Sequence, residues 1–277
     1  MINQFLVDEI LINGLKEDIT YNDITTDNLI DKNSKSVAFI TFKEDGVICG
    51  TNLIERLYEL LDINIDVELL VNEGEYILKG KDVIKLSGST RNLLKGERLG
   101  LNILQRMSGI ATLSKLFSDK VKALDVKIVD TRKTTPNLRI IEKYAVTVGN
   151  CFNHRYNLSD SVMIKDNHIK AAGSIKNAVK IIRDKIGHTI KIEVEVTNLD
   201  ELREALNENA DIIMLDNMDN KTMLKAVEIN NKKAILEASG GVNINTVYDI
   251  ALTGVDIISV GALTHSAKAL DISMNIL

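Results

Sequence analysis

The chain has 277 residues, a formal net charge of −5, 45% hydrophobic residues and 4% aromatics with no Trp, enough apolar content for one large α/β domain or a small domain joined to a barrel. It lacks the broad cationic stripe and the stacking platform that nucleic-acid partners require. Cys49 and Cys151 stand far apart and indicate neither a disulfide framework nor a cysteine-based zinc site; with an acidic N-terminus unlike a signal peptide and no apolar stretch near the roughly 20 residues of a membrane span, a reducing cytoplasm is the expected location.

In chain order, residues 2–17 read as an amphipathic helix, 37–42 as an apolar strand and 51–61 as a second helix. Residues 65–71 and 76–86 read as two extended segments joined in a hairpin by the turn Asn72-Glu-Gly74. Helices and antiparallel strands in this order predict a small α/β sandwich over residues 1–108. From Arg91 to Lys122 the helical periodicity runs long and is interrupted by Gly96, Gly100 and Gly109. It reads as two helices or one kinked one, and as the domain junction.

Residues 109–277 then alternate strand and helix. Short apolar runs end at Asp130, Lys165, Glu195, Asp216, Glu237 and Val260, each followed by helical spacing, as a parallel sheet closing toward a barrel requires. Six runs are fewer than the eight of a full α/β barrel, so the barrel is incomplete or weak strands are hidden. The C-terminal tail can return to the N-terminal domain.

The residues at those strand ends carry chemistry, and the active sites of α/β barrels are built there. Arg132, Lys133, His154, Arg155 and Lys165 concentrate positive and imidazole groups in a chain of negative net charge, which indicates a pocket for a small polyanion. One polar strand end is an ordinary solvated loop; six in succession make a site. Arginine grips a carboxylate or phosphate in a bidentate fork and lysine acts as a point charge, so a ligand with both group types is expected. Pro136, the only proline, is predicted at a first helical position with Thr135 as N-cap.

Ser239-Gly240-Gly241, ahead of a helix expected from about Asn243, has the form of a phosphate-binding turn, and Gly261 at the next strand end offers a second. Glu195 and Asp216 close adjacent strands and should face one cavity. There they could bind sugar hydroxyls or a hydrated Mg²⁺, stabilise a developing oxocarbenium ion, or pair with Lys165 or Arg155. His154, beside Arg155 in a loop, reads as a site histidine rather than a core one; for His168 and His265 a helix-end role fits equally well.

These motifs resemble the quinolinate phosphoribosyltransferase, or nicotinate-nucleotide pyrophosphorylase (carboxylating), family. The likeness runs over nearly the whole chain: Asp23-Ile-Thr-Thr26, Glu97-Arg98-Leu-Gly-Leu-Asn102, Ser108-Gly-Ile-Ala-Thr112, Asp130-Thr-Arg-Lys-Thr-Thr-Pro136, Asn153-His-Arg155, Ile164-Lys-Asp-Asn-His168, Glu193-Val-Glu195, Leu215-Asp-Asn217 and Glu237-Ala-Ser-Gly-Gly241. The resemblance implies an N-terminal open-faced α/β sandwich domain plus an incomplete parallel α/β barrel. It also implies a type II phosphoribosyltransferase of de novo NAD biosynthesis, working as a homodimer with shared active sites or as a larger assembly.

In that family quinolinate and phosphoribosyl pyrophosphate give nicotinate mononucleotide, pyrophosphate and carbon dioxide, with Mg²⁺. Carried over position by position, Arg132, His154, Arg155 and Lys165 would line the quinolinate pocket and Lys133 would stand near the pyrophosphate. Arg98 would enter the active site of the neighbouring subunit. Glu195 and Asp216 would hold the ribose and the metal, directly or through water, Ser239, Gly240, Gly241 and Gly261 the 5-phosphate, and His265 the edge of that site. Lys133, Lys165, Glu195 and Asp216 form the implied catalytic set, with Lys165 the candidate proton donor.

One departure matters. Where the family usually shows three glycines, this chain has Gly149-Asn150-Cys151-Phe152. Either the loop is confined to ordinary φ or Asn150 takes the left-handed region it tolerates, and quinolinate affinity is the property at stake. Three rivals stand beside this reading: a phosphoribosyltransferase of the same fold acting on another aromatic acid, a catalytically inactive homologue, and a barrel aldolase forming a Schiff base at Lys165.

Overall fold

The computed structural model describes residues 2–277. In chain order the elements are α1 (Gln4–Asp18), α2 (Ile24–Leu29), β1 (Lys35–Phe42), β2 (Gly46–Val47), α3 (Thr51–Leu61), β3 (Asp66–Leu69), β4 (Tyr76–Ile77), β5 (Asp82–Ser89) and α4 (Thr90–Val121). There follow β6 (Lys127–Val129), α5 (Arg139–Val148), β7 (Val162–Ile164), α6 (Asp166–Ala172), α7 (Ile175–Arg183), β8 (Ile192–Val196), α8 (Leu199–Asn207) and β9 (Ile212–Asp216). The chain ends with α9 (Asn220–Asn230), β10 (Ile235–Ser239), α10 (Val247–Ala251), β11 (Ile257–Ser259), α11 (Ala262–His265) and β12 (Ile272–Ile276). They fall into two compact units: one contains the chain up to Lys115 with Thr134–Asn150 and Thr264–Leu277, the other Leu116–Lys133 and Cys151–Leu263.

The first unit is built on an antiparallel sheet of order β12-β1-β5-β3. Alternate residues of β1, Ala38, Ile40 and Phe42, are buried, as a strand with one face on a core requires. They pack with Ile54 and Tyr58 of α3, Leu93 and Leu104 of α4, and Ile272 and Met274 of β12, each large side chain contributing roughly 1.5–3 kcal/mol by leaving water.

The expected pairing forms in part: Val67, Glu68 and Leu69 face Leu86, Lys85 and Ile84 in antiparallel register, but the second segment is broken and no tight hairpin closes at Asn72–Gly74. β3 pairs with β5, while β4 pairs with β2, because the segment after the Asn72–Gly74 turn is drawn onto β2 by the bonds Gly74 N to Ile48 O and Ile48 N to Glu75 O. Residues 90–121 form one helix rather than two. Its glycines serve close packing: a Cβ on Gly96 would lie 2.6 Å from Tyr58, and one on Gly109 2.0 Å from the Lys268 carbonyl oxygen. The short helix α2, capped by Asp23 through the Thr26 amide, was not foreseen.

The second unit holds a parallel sheet of order β6-β11-β10-β9-β8-β7. Beside β6, Phe152 adds a single parallel bridge to Val129, a one-residue remnant of a seventh strand. Along β8, Ile192, Val194 and Val196 are fully buried on the face toward α7 and α8, so period-2 alternation turns Glu193 and Glu195 to the other face. Polar N-caps start the connecting helices, with Ser174, Asn198 and Asp219 accepting amides of α7, α8 and α9. Among the described residues no helix is long and apolar enough to cross a membrane.

Candidate active site

A cavity of about 450 Å³ opens at the carboxyl ends of the parallel strands. Its walls include Arg132 and Lys133 after β6, His154 and Arg155, Lys165 after β7, Glu195 of β8, Asp216 of β9, and Glu237 and Ser239 of β10. The register explains the grouping: Met163 pairs with Glu193, Glu195 with Met214, Met214 with Glu237, and Asp216 with Ser239, so inward side chains of neighbouring strands stack in layers. A larger hollow of about 870 Å³ lies in the first unit between α1, α4 and residues 135–141, and none of the sequence-predicted site residues lines it.

Within the cavity, Lys165 Nζ is ion-paired and hydrogen-bonded to Glu195 Oε2. One of the alternatives left open for Glu195 is thus occupied in this structure. Asp216 Oδ2 accepts from the Asn217 amide group at 2.7 Å. Ser239 ends β10, and the chain turns through Gly240 and Gly241 at φ +98° and +61°. A Cβ on Gly240 would sit 2.1 Å from Asn217 Oδ1, so only glycine fits that turn. Gly261 follows β11, which pairs with β10.

His154 reaches inward. Its Nε2 lies 3.2 Å from Glu193 Oε2 and 3.4 Å from Glu237 Oε2, its Nδ1 accepts the Arg155 amide at 2.8 Å, and its own amide donates to Oδ1 of the fully buried Asp130 at 2.8 Å. Burial opposes charge on the ring, while its hydrogen bonds to Glu193 and Glu237 raise the imidazole and draw a proton toward the acids. Burial likewise raises Glu193. Both directions mean that this cluster retains a proton which free groups would release; since the Arg155 amide points at Nδ1, that proton belongs between Nε2 and the carboxylates. Arg155 is held below the usual guanidinium value by burial and then by the Arg132 charge, and its Nη1 donates to the Ser161 carbonyl at 2.9 Å.

Several local expectations change. α5 starts at Arg139, not at Pro136: Thr135 donates its amide and hydroxyl to Glu142 at 3.0 and 2.7 Å, and Asn137 takes φ +66°, so Pro136 opens a turn. The helix after Gly241 starts at Val247 rather than near Asn243, leaving the turn itself, not a helix dipole, to face a phosphate. Asn150 adopts φ +63°, the left-handed alternative. His168 accepts the Lys165 amide at Nδ1 (3.0 Å) and closes the start of α6.

Arg98 and His265 belong to the first unit: Arg98 is exposed on α4, and His265 ends α11 with Nδ1 2.6 Å from Ser266 Oγ. Sequence reasoning passed over Glu193 and Glu237 as a pair. The signal was present in Glu193-Val-Glu195 and Glu237-Ala-Ser239, where i and i+2 share a strand face, so a residue at the rim implies another one layer below.

The chain matches the family models for the quinolinate phosphoribosyl transferase N-terminal domain over residues 23–108 and C-terminal domain over residues 110–275. It is 41% identical to the probable nicotinate-nucleotide pyrophosphorylase [carboxylating] of Bacillus subtilis, over 99% of this chain and 95% of that protein. It is 43% identical to the chloroplastic nicotinate-nucleotide pyrophosphorylase [carboxylating] of Arabidopsis thaliana, over 95% of this chain and 80% of that protein. Among solved structures it is similar to NadC from Streptococcus pyogenes, with TM-score 0.96 and 37% identity over 100% of this chain and 98% of that one. The nicotinate-nucleotide pyrophosphorylase from Ehrlichia chaffeensis gives TM-score 0.94 and 40% identity over 98% of each chain. With both domain models matched in order and the likeness spanning the full length, the chain belongs to the quinolinate phosphoribosyl transferase family.

Proposed function

We propose that this protein transfers the phosphoribosyl group of phosphoribosyl pyrophosphate to quinolinate with decarboxylation, giving nicotinate mononucleotide, pyrophosphate and carbon dioxide, the step that feeds de novo NAD biosynthesis. The observation that carries the reading is one cavity that joins Arg132, Arg155 and Lys165 to the acids Glu195 and Asp216 and to the Ser239–Gly241 turn. An aromatic diacid and a phosphorylated sugar ask for those two kinds of surface side by side.

In this reading Arg132 and Arg155 grip the two carboxylates and turn the ring nitrogen toward C1 of the ribose, and the amides of the Gly240–Gly241 turn hold the 5-phosphate. Holding both reactants in line supplies most of the acceleration. Lys133 offers positive charge to the departing pyrophosphate, and Glu195 places negative charge opposite the carbon that becomes oxocarbenium-like. After transfer the cationic ring nitrogen draws electrons from the adjacent carboxylate, carbon dioxide leaves, and Lys165 delivers the proton to the ring carbon. Lys165 is already engaged with Glu195, which holds its Nζ at the cavity wall.

Mg²⁺ is the implied cofactor, and the donors suit it: Glu195 and Asp216 present carboxylate oxygens from adjacent strands to the same cavity, the ligand type a hard divalent cation takes. When bound it would neutralise charge on the pyrophosphate. We further propose a cytoplasmic homodimer in which the exposed Arg98 of one copy completes the site of the other. The altered loop gives little support to a different aromatic acid, since Asn150 at φ +63° keeps the path a glycine would allow.

The test is incubation of the purified protein with quinolinate, phosphoribosyl pyrophosphate and Mg²⁺. Nicotinate mononucleotide should appear together with equal amounts of pyrophosphate and carbon dioxide; its absence, with product formed from nicotinate or a benzoate-like acid instead, would reassign the substrate.

A further inference from the structure

We infer that His154 is a positioning residue and that Glu193 and Glu237 are the pair that holds it: the ring ties the barrel floor to the main chain of Arg155 and so aims that guanidinium, without hydrogen-bonding the substrate. The role presupposes the diacid pocket proposed above and removes one residue from those expected to touch the diacid.

Three observations carry it. Both ring nitrogens are spent inside the protein, Nε2 on Glu193 and Glu237 at 3.2 and 3.4 Å and Nδ1 on the Arg155 amide at 2.8 Å. A neutral imidazole has one donor and one acceptor, so none remains for a carboxylate. Next, the two acids are buried, with side chains only 2% and 1% exposed, and Oε1 of each has no hydrogen-bond partner among the described residues. Two buried carboxylates with unmade bonds are costly, and an apolar pair would fill the same space more cheaply if packing were their only task. Finally, Arg155 stands close enough to Arg132 for the two charges to repel. A guanidinium in that position needs external ties to keep one direction, and it has two, Ser161 on its side chain and His154 on its main chain.

The inference is tested by ¹⁵N NMR of histidine-labelled protein together with kinetics of four variants. Assigned against His154→Gln, the His154 ring should carry its proton on Nε2 alone near neutral pH, and it should keep that pattern when quinolinate is added without phosphoribosyl pyrophosphate. Protonation of both nitrogens, or a switch of tautomer on adding quinolinate, overturns the proposal. In turnover, Glu237→Gln and Glu193→Gln should raise the quinolinate KM on the order of tenfold while leaving the phosphoribosyl pyrophosphate KM within about twofold. The second acid variant serves if the first does not fold. His154→Gln, whose amide N–H can still reach the two acids, should retain more quinolinate affinity than His154→Ala. Wild-type quinolinate KM in the folded acid variants, or equal loss in the two His154 variants, also overturns it. Should the wild type turn over no quinolinate at all, the pocket reading fails, while the ring measurement still decides how His154 is held.

Discussion

Glu193 and Glu195 stand two residues apart on β8, turned to the same side of the sheet, yet they hold different partners: the deeper one lies 3.2 Å from His154 and the one above it is bound to Lys165. The barrel interior is thus layered by charge. A buried acid–imidazole tier lies beneath a lysine–acid tier, and the cavity sits on the second. In the reading proposed above, the upper tier serves the chemistry and the lower one holds it in place.

Lys165 should therefore be indispensable to turnover and dispensable to folding, because its side chain is about half exposed, at 45%. Lys165→Ala is expected to lower kcat by at least about 100-fold, in the range of a lost proton donor, with an unchanged urea midpoint. Near-normal turnover would remove it from the reaction.

If Arg98 works across a subunit boundary, mixing Arg98→Ala with Lys165→Ala protein should regenerate sites that carry neither change. Random exchange makes half the dimers mixed, each with one intact site of two, so roughly a quarter of wild-type activity is expected. Verified mixed dimers with no recovery would place Arg98 in service of its own chain.

Glu142 is fully buried and accepts from Arg106 Nε and Nη2 at 3.0 and 2.9 Å and from the Thr135 amide and hydroxyl. Arg106 also donates to the carbonyls of Thr264 and Ala267. Glu142→Ala strands a half-buried guanidinium and should cost about 2–4 kcal/mol in urea unfolding. A loss below about 0.5 kcal/mol would show that the network is redundant.

Gly149 and Asn150 should respond oppositely to substitution. A Cβ on Gly149 would meet the Ala111 carbonyl oxygen and Ser114 Cβ, each at 2.4 Å, so Gly149→Ala is expected to destabilise by about 1–3 kcal/mol. Asn150→Gly, at φ +63°, should stay within about 0.5 kcal/mol of wild type with an unaltered quinolinate KM. A marked drop in that KM would restore the loop as a brake on affinity.

Asp8 is drawn down from 3.8 to about 2 by its hydrogen bonds from Arg56 and then Gln4. A depressed carboxyl adds stability above its ordinary value and loses it as pH falls through the folded one, so the difference in urea midpoint between wild type and Asp8→Asn should be present near about pH 6 and vanish toward about pH 2. A gap that does not change with pH would mean the pair contributes through packing alone.

Much of the barrel was readable because strand ends in an α/β fold concentrate unlike residue types: Asp130, Lys165, Glu195 and Asp216 interrupt apolar runs at the points where β6 to β9 end. The antiparallel unit was less so. Which strand takes β4 as its neighbour is decided by distant backbone bonds such as Gly74 N to Ile48 O, which no local pattern announces. Glycine in α4 looked like interruption because composition cannot tell a breaker from a contact; the 2.0 Å approach of Lys268 to the Gly109 position is a tertiary fact. Thr135 looked like a cap for the same reason, since the competing acceptor Glu142 lies on the next helix turn and wins the hydroxyl.

The edge strand β12 is stitched to β1 from Ala38–Ile276 to Phe42–Ile272, so β1 is completed by a segment made after every strand of the parallel sheet. A nascent chain must hold the early strands with one flank open until β12 emerges, by which time the parallel sheet can already be assembled. Completion of this sheet therefore lags the parallel one, and a stop before Ile272 would leave β1 as a bare edge ready to pair with another chain.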